Sequence, residues 1–381
     1  MQIPSWPQAD EREAELLRMV LESRQWGGFH PFVAEFERSF AAYQQAQYGI
    51  SAFNGTVTLE LALAVLGIGP GDEVIVPAIS FISTATAVSR VGATPVFVDI
   101  EPDSFNIDPE RAREAIGPKT KAVMPVHFGG TMCNMDALGA ICRQRNLLLV
   151  EDAAQAHGSE WRGKRAGSFG IAGSFSFQNG KVLCAGEGGM LVTSDENFAD
   201  QARSMANCGR VPGRSFYEHY RIGTNFRLTA FQAAVLLAQF ERLPEQIRLR
   251  MANANLLKSL LADVEKIVWQ AQPPAITQNS LYLLIGRVPN QDLRDELQNR
   301  LSAAGIPSTP FYPHTLYQNP AYQSSGCRVM PCPVAEARTR DAFWLPHRIL
   351  LASEETIRNI AGVFRALAEV RRVSCGADGE T

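Results

Sequence analysis

Residues 147–155 read LLLVEDAAQ, an apolar run that leads directly into two carboxylates. The run at 147–150 is typical of a strand buried on both faces, as in a parallel sheet covered by helices. Asp152 then lies at the end of the strand, at the rim of a dry core. A carboxylate buried there without a partner is costly, so a cation or a protonated ring nitrogen is its natural partner. A helix cap or a turn is the alternative interpretation.

Similar apolar runs recur upstream and alternate with helical spacing. Strands that are apolar throughout and alternate with helices indicate a parallel sheet with helices on both faces. The crossovers between such strands are expected to be right-handed. The ranges, in chain order, are helix 57–66, strand 74–76, helix 81–91, strand 95–100, helix 109–116, strand 122–127, helix 136–144 and strand 147–150.

Beyond residue 153 the pattern changes. Long helical patterns follow a turn-rich segment, and a strand and a helix then precede a proline-rich loop. We therefore predict a large α/β domain over residues 1–245, a small α+β domain over 246–381, and frayed ends at 374–381. The ranges are strands 174–177 and 189–193, helices 228–240 and 246–264, strand 281–288, helix 291–304, loop 307–313 and helix 353–370.

Composition excludes several classes of protein. The 381 residues are 46% apolar, an ordinary globular value that argues against collagen, coiled coil and wholesale disorder. With 36 basic and 39 acidic residues the net charge is −3, which gives no electrostatic reason to expect nucleic acid. The N-terminus lacks a signal-peptide pattern, and no apolar run approaches the roughly 18 residues of a membrane span. Seven irregularly spaced cysteines predict reduced thiols in a cytoplasmic protein and no metal site.

The common cofactor and nucleophile motifs are missing. The chain has no G-x-G-x-x-G after a strand, no P-loop, no H-E-x-x-H and no G-x-S-x-G. Dinucleotide, P-loop nucleotide, zinc and serine-nucleophile chemistries are therefore disfavoured. A site is instead expected from residues just past the strands, where open α/β sheets bind their ligands.

Two more segments place polar residues past predicted strands. Residues 53–57, FNGTV, enter a helix whose first amides can hold an anion together with the Thr56 hydroxyl. A simple threonine cap is the alternative. Residues 173–181, GSFSFQNGK, put a lysine among glycines and hydroxyls. Lys181 in such a place is suited to form an imine, and a structural ion pair is the alternative.

The three segments together describe a pyridoxal 5′-phosphate site. The phosphate would lie at Thr56 and its helix, the ring nitrogen at Asp152 and the aldehyde at Lys181. Asp152 would keep the ring nitrogen protonated, which makes the ring an electron sink. Phe81, which follows the strand at 74–76, would stack on the ring, with an ordinary core position as the alternative.

Several separate motifs, in order over nearly the whole chain, resemble the DegT/DnrJ/StrS family of pyridoxal-phosphate-dependent sugar and cyclitol aminotransferases. The resemblance implies the aspartate-aminotransferase fold, fold type I, with pyridoxamine phosphate as the intermediate cofactor form. The motifs are 54–56, 69–77, 92–99, 125–127, 151–158, 174–181, 187–189 and 225–228.

The resemblance also implies a role for each site residue. Lys181 would be the catalytic lysine that forms the internal aldimine, with Asp152 on the ring nitrogen and Gln155 on the ring hydroxyl. Asn225 would reach the phosphate of a neighbouring subunit, so a homodimer with shared active sites is implied. The implied cofactor contacts are Gly55, Thr56, Val57, Phe81, Asp152, Gln155, Ser176, Gln178, Lys181 and Asn225.

The implied activity is transfer of an amino group from glutamate or glutamine to a ring ketone of a sugar or cyclitol, with ping-pong kinetics. One branch of the family carries histidine at the lysine position and performs dehydration, so Lys181 favours the aminotransferases. Gln178 stands where nucleotide-sugar enzymes usually carry histidine. The sequence of residues 177–181 is more similar to that of 3-amino-5-hydroxybenzoate synthases and cyclitol aminotransferases. The segments 4–7, 208–210 and 344–352 show the same similarity. The acceptor is therefore either a free carbocycle or a nucleotide-linked sugar.

Two other functions stay open at this point. An aromatising dehydratase of the 3-amino-5-hydroxybenzoate synthase type would use the same lysine and cofactor. The other open function is that of a regulator that binds the cofactor but has no catalytic activity. The substrate contacts are open as well, since each candidate histidine has a structural role as its alternative. The candidate substrate residues are Gly28, Phe29, His30, Tyr312, His314, His347 and Arg348.

Overall fold

The computed structural model describes residues 2–374, so the predicted frayed ends fall almost entirely outside the described residues. Most predicted helices and strands are present with bounds shifted by a few residues. The helices are α1 Glu11–Ser23, α2 Pro31–Tyr43, α3 Gly55–Val65, α4 Ser83–Arg90, α5 Pro109–Glu114, α6 Met135–Arg145, α7 Glu196–Ala206, α8 Ala230–Leu260, α9 Gln291–Ala303, α10 Pro320–Gln323, α11 Pro333–Asp341 and α12 Glu354–Ser374.

The strands fall into one large sheet and two smaller ones. They are β1 Tyr48–Ala52, β2 Glu73–Pro77, β3 Thr94–Val98, β4 Thr120–Val123, β5 Leu148–Asp152, β6 Glu160–Trp161, β7 Lys164–Arg165, β8 Ala172–Ser176, β9 Gly189–Thr193, β10 Val268–Trp269, β11 Ile276–Gln278, β12 Leu283–Arg287, β13 Thr309–Pro310, β14 Arg328–Val329 and β15 Ala342–Pro346.

The large sheet confirms the predicted fold class. Within the described residues its order is β1-β9-β8-β5-β4-β2-β3-β14, and β9 runs antiparallel to both neighbours while the other pairs are parallel. Val74 and Val76 pack with α3, α4 and α7, whereas Ile75 packs with the helices of the opposite face. All three side chains are fully buried, as expected for a strand covered on both sides. The carboxyl ends of β1, β2, β5 and β8 consequently meet at one edge.

A second sheet, β10-β12-β15-β13, packs with α9, α12 and the end of α8 in a separate apolar core. Two short strands beyond residue 245 pair with strands that precede it: β11 pairs with β6, and β14 pairs with β3. The predicted division at residue 245 also falls inside α8. The domain boundary therefore stays a prediction.

Helix α8 corrects the expectation of two helices at 228–240 and 246–264. The structure has one continuous helix, Ala230–Leu260, that contains Pro244. Leu243 and Ile247 on either side of the proline are buried, and this packing outweighs the hydrogen bond that a proline removes. Across residues 2–374, none of the helices is both long and apolar enough to cross a membrane.

Candidate active site

A cavity of about 530 Å³ opens at the edge where the parallel strands end. It brings together residues from the ends of β1, β2, β5 and β8, as the topology requires. Of the predicted cofactor contacts, Val57 and Asn225 are not among the side chains that line it. The predicted contacts that do line it are Gly55, Thr56, Phe81, Asp152, Gln155, Ser176, Gln178 and Lys181.

Asp152 lies at the bottom of this cavity, at the end of β5. Its Oδ2 accepts a hydrogen bond of 2.7 Å from the Thr84 hydroxyl, and its Oδ1 accepts one of 3.2 Å from the Ala154 amide. The side chain is buried, and burial raises the pKa of its carboxyl group, although the bond from Thr84 acts in the other direction. Among the side chains that the structure describes, at residues 2–366, no basic group forms an ion pair with Asp152. Lys181, which lines the same cavity, and His127 act on the carboxylate only at a distance, and both lower its pKa. Asp152 is therefore buried without a hydrogen-bonded cation among these side chains.

Lys181 is carried by the loop that follows β8. Its Nζ lies 4.4 Å from the centre of the Tyr282 ring, within the range of a cation–π contact. The loop is a tight turn organised by Gln178, whose carbonyl accepts from the Lys181 amide and whose Oε1 accepts from the Gly180 amide, both at 2.8 Å. Gln178 thus shapes the turn in addition to lining the cavity.

The start of α3 also lines the cavity and offers donors suited to an anion. Helix α3 begins there at Gly55, and the hydroxyls of Thr56 and Ser83 pair at 2.7 Å. A Cβ at Gly55 would lie 2.6 Å from the Cβ of Ser176, so only glycine lets the helix approach β8 this closely. Helix N-terminal amides and hydroxyls together are suited to a phosphate. The amide of Val57, another predicted cofactor contact, donates to the Asn54 side chain at 3.0 Å, and Asn54 thereby caps the helix.

Two further predicted contacts complete the cavity wall. The Phe81 ring is 57% exposed, which leaves a flat apolar surface for an aromatic ligand. Gln155 is buried, and its Oε1 accepts from the Gly129 amide at 2.8 Å, which turns its amide NH₂ into the free donor.

The sequence matches the DegT/DnrJ/EryC1/StrS aminotransferase family over residues 7–364. The chain belongs to this family. It is 40% identical over 377 residues to the 3-amino-5-hydroxybenzoate synthase of Amycolatopsis mediterranei, covering 95% of this chain and 96% of that protein. It is 38% identical over 389 residues to a putative L-glutamine:3-amino-2,3-dideoxy-scyllo-inosose aminotransferase of Micromonospora echinospora, covering 94% and 91%. The crystal structure of 3-amino-5-hydroxybenzoic acid synthase aligns with a TM-score of 0.92 at 39% identity, covering 96% and 98%.

The protein is accordingly a pyridoxal-phosphate-dependent aminotransferase, and the cavity suits that cofactor. The buried carboxylate of Asp152 has no hydrogen-bonded cation among the described side chains, and a protonated ring nitrogen would suit that position. Lys181 offers an amine to the aldehyde, and the start of α3 offers donors to the phosphate. The three groups that the cofactor needs therefore face one space.

The predicted substrate residues of the aminotransferase divide among several places. Tyr312 lines the cavity, packs against Trp344, and has its hydroxyl pKa raised by burial. His314 is exposed outside it. His347 and Arg348 lie behind the Lys181 loop, where they donate to the carbonyls of Gly180 and Pro4, both at 3.1 Å.

Gly28, Phe29 and His30 line a different cavity of about 660 Å³, and His30 also caps α2 through its Nδ1. Asn225 is exposed and accepts from the Arg227 amide at 3.2 Å. Neither group contacts the Asp152–Lys181 cavity within this chain.

Several residues that line the cavity are missing from the sequence prediction, among them Ser83, Thr84 and Tyr282. Ser83 and Thr84 follow β2 by one turn, so their position after an apolar strand was a usable signal. Tyr282 comes from the start of β12, and nothing local in the sequence connects it with Lys181.

Proposed function

We propose that the protein transfers the amino group of glutamate or glutamine to a ring ketone of a cyclitol or sugar. The observation that supports the proposal is that Lys181 lines the same cavity as a buried Asp152 that has no hydrogen-bonded cation among the described side chains. The relative from Micromonospora echinospora is named for a glutamine donor and a ring acceptor of this kind. A free carbocycle is favoured over a nucleotide-linked sugar by Gln178.

Pyridoxal phosphate, when bound, supplies a protonated ring that takes up the electron pair of a breaking bond at the substrate carbon. Asp152 holds the ring nitrogen protonated through its negative charge. Lys181 would hold the cofactor through its aldehyde, and its amine, when free, would take the proton from the Cα of the amino donor. Lys181 returns a proton to the acceptor carbon in the second half of the reaction. The amino donor and the ketone would use this one site in turn, and the first product would leave before the second substrate binds, so ping-pong kinetics are expected.

The remaining residues bind and orient. Thr56 and Ser176, with the first amides of α3, hold the phosphate, Phe81 stacks on the ring and Gln155 donates to the ring hydroxyl. Asn225 acts from a second copy of the chain, so we also propose a homodimer. The free thiols of Cys133, Cys142 and Cys184 favour a reducing compartment, and we propose the cytoplasm.

A second candidate is an aromatising dehydratase that eliminates water from a cyclic amino ketone. It is favoured by the 40% identity and the TM-score of 0.92 to 3-amino-5-hydroxybenzoate synthase. The same Lys181 would take the substrate proton, so the site residues serve both reactions.

The two functions are separated by their products. The holoenzyme is incubated with glutamine and a cyclitol ketone, and separately with a cyclic amino-hydroxy-ketone carboxylate, and products are identified by mass spectrometry. A cyclic amine from the first mixture supports the transaminase. An aromatic amine formed with loss of water in the second supports the dehydratase. No product and no consumption of glutamine contradict both and leave the silent regulator.

A further inference from the structure

Two side-chain N–H donors that lie outside the cavity bind the backbone of the loop that carries Lys181. The Trp6 indole Nε1 lies 3.1 Å from the carbonyl oxygens of both Asn179 and Lys181. The His347 Nε2 lies 3.1 Å from the carbonyl oxygen of Gly180. Three consecutive carbonyls are thus bound by two side chains, which we call the carbonyl clamp. Neither clamp residue lines the cavity.

The loop needs these donors because its own hydrogen bonds use only its amides. The amides of Gly180 and Lys181 bond to Gln178, and the Asn179 amide bonds to the Gly186 carbonyl at 2.8 Å. Among the described residues, the carbonyls of Asn179, Gly180 and Lys181 accept from Trp6 and His347. The bonds to the Gly180 and Lys181 carbonyls are partly buried, and a carbonyl left without a donor there costs stability. The clamp therefore supplies donors that the loop itself does not.

The clamp residues are themselves held in place. Trp6 lies in an N-terminal segment that two arginines bind through its carbonyls. The Arg348 guanidinium donates to the Pro4 carbonyl at 3.1 Å, and the Arg242 guanidinium donates to the Gln8 carbonyl at 3.3 Å. The rings of Trp6 and His347 pack edge to face with centres 4.5 Å apart. Each donor therefore supports the position of the other.

The tautomer of His347 follows from its partner. A carbonyl only accepts, so Nε2 carries the proton and donates to Gly180. The ring is 3% exposed, and its burial near the Arg250 guanidinium lowers its pKa. His347 is consequently a neutral donor.

His347 also reaches the amine of Lys181 through an aromatic ring. The Tyr282 ring centre lies 6.1 Å from that of His347 and 4.4 Å from the Lys181 Nζ. The backbone of the loop and the side chain of its lysine are both positioned by contacts that lead to the clamp.

We propose that Trp6 and His347 are positioning residues of the aminotransferase, which fix the Lys181 loop so that its amine points into the cavity. The inference rests on the proposed role of Lys181. Misplacement of a reacting group by about 1 Å is enough to cost a factor of about a hundred in rate. Loss of the clamp should therefore lower the rate of the glutamine half-reaction at saturating donor and leave the KM for glutamine nearly unchanged.

The experiment compares four variants of the full chain. Trp6→Phe and His347→Leu each remove one donor, whereas His347→Gln keeps a terminal N–H at a similar reach. Trp269→Phe is the matched control, because its indole Nε1 has no hydrogen-bond partner among the described residues. Near-ultraviolet circular dichroism checks that all four fold.

Two readouts are taken. Hydrogen exchange of residues 178–185 in the cofactor-free protein should be about tenfold faster in Trp6→Phe and His347→Leu, since each loses a hydrogen bond of the loop. It should be unchanged in His347→Gln and Trp269→Phe. In the holoenzyme the half-reaction rate should fall about tenfold or more in the same two variants only.

Exchange and half-reaction rates in Trp6→Phe and His347→Leu that equal those of Trp269→Phe would overturn the proposal. The proposal would also be overturned if His347→Gln lost as much protection and rate as His347→Leu, because the N–H donor at residue 347 would then have no effect. The exchange readout needs neither cofactor nor substrate. A failure of the proposed function, seen as a half-reaction that persists in Lys181→Ala, is thus distinguished from a failure of the clamp.

Discussion

The proposed role of Asp152 depends on burial, since a carboxylate that is 5% exposed and has no ion-pair partner among the described side chains needs a positive charge close by. Asp152→Asn should weaken cofactor binding and slow the half-reaction at least about a hundredfold, because an amide carries no charge to keep the ring nitrogen protonated. Cofactor titration and stopped-flow absorbance measure both effects. Thr84→Val is the control, since it removes one hydrogen bond and keeps the charge, and should cost about tenfold or less. A near-normal rate in Asp152→Asn would refute the role.

His157 is a second buried titratable residue. Its Nε2 donates to the Ser176 carbonyl at 2.9 Å, and burial lowers its pKa to about 3. In the unfolded chain the group titrates near its ordinary value of about 6.5, so the unfolded state binds the proton first as the pH falls. The stability that the neutral ring supplies is therefore complete above about pH 6.5 and is lost progressively toward about pH 3.

This sign gives a prediction for stability. His157→Gln keeps a donor for the Ser176 carbonyl but does not titrate, so its free energy of unfolding should fall less between about pH 7 and pH 5. The difference from the wild type should change by about 2 kcal/mol over that range. Denaturant unfolding at several pH values measures it, and contributions from Asp152 cancel because both proteins share them. Parallel curves for the two proteins would show that His157 is not neutral when folded.

At the scale of elements, the close approach of α3 to β8 sets the phosphate end of the site. Gly55→Ala would place a methyl group 2.6 Å from the Cβ of Ser176, so the helix start must move away, at a cost of about 1–3 kcal/mol. We expect weaker cofactor binding, measured by titration of the cofactor-free protein. Gly362→Ala is the matched control, because a Cβ there meets nothing within 4 Å. Equal cofactor affinity in the two variants would contradict the proposal that the close approach of α3 to β8 shapes the phosphate site.

The elements show how far the sequence predicts the molecule. The parallel strands and the residues at their ends were predictable, because an apolar run followed by Asp152 or by the Lys181 loop is a local signal. Helix α8 was predicted in two pieces since Pro244 is a local breaker that only tertiary packing overrides. Tyr282, Trp6 and His347 meet the Lys181 loop from more than a hundred residues away in sequence. No spacing pattern in the chain records such contacts.

For the whole molecule, the position of Asn225 outside its own cavity is the feature to explain. The segment between α7 and α8 also exposes Phe216 at 55%, Tyr217 at 84% and Ile222 at 98%. Apolar side chains exposed together mark a surface that a partner covers. Both observations agree with the proposed homodimer, in which Asn225 of one copy serves the cavity of the other.

Mixing tests this arrangement. Lys181→Ala and Asn225→Ala should each be strongly impaired alone, and mixtures dissociated and reassembled together should regain activity. The reason is that one of the two sites in a mixed dimer combines an intact Lys181 with an intact Asn225 from opposite chains. Activity of the reassembled mixture is compared with each variant treated alone. An absence of recovery would show that Asn225 does not act across the interface.

The most direct measurement concerns Lys181 itself. The chain has six lysines, and Lys119, Lys121, Lys164, Lys258 and Lys266 do not line the cavity. Borohydride reduction of the holoenzyme followed by peptide mass mapping should find the phosphopyridoxyl group on Lys181 alone. Prior treatment with the amino donor should abolish the label, because the donor displaces the lysine. A label on any other lysine, or a label on Lys181 that neither glutamine nor glutamate removes, would contradict the account.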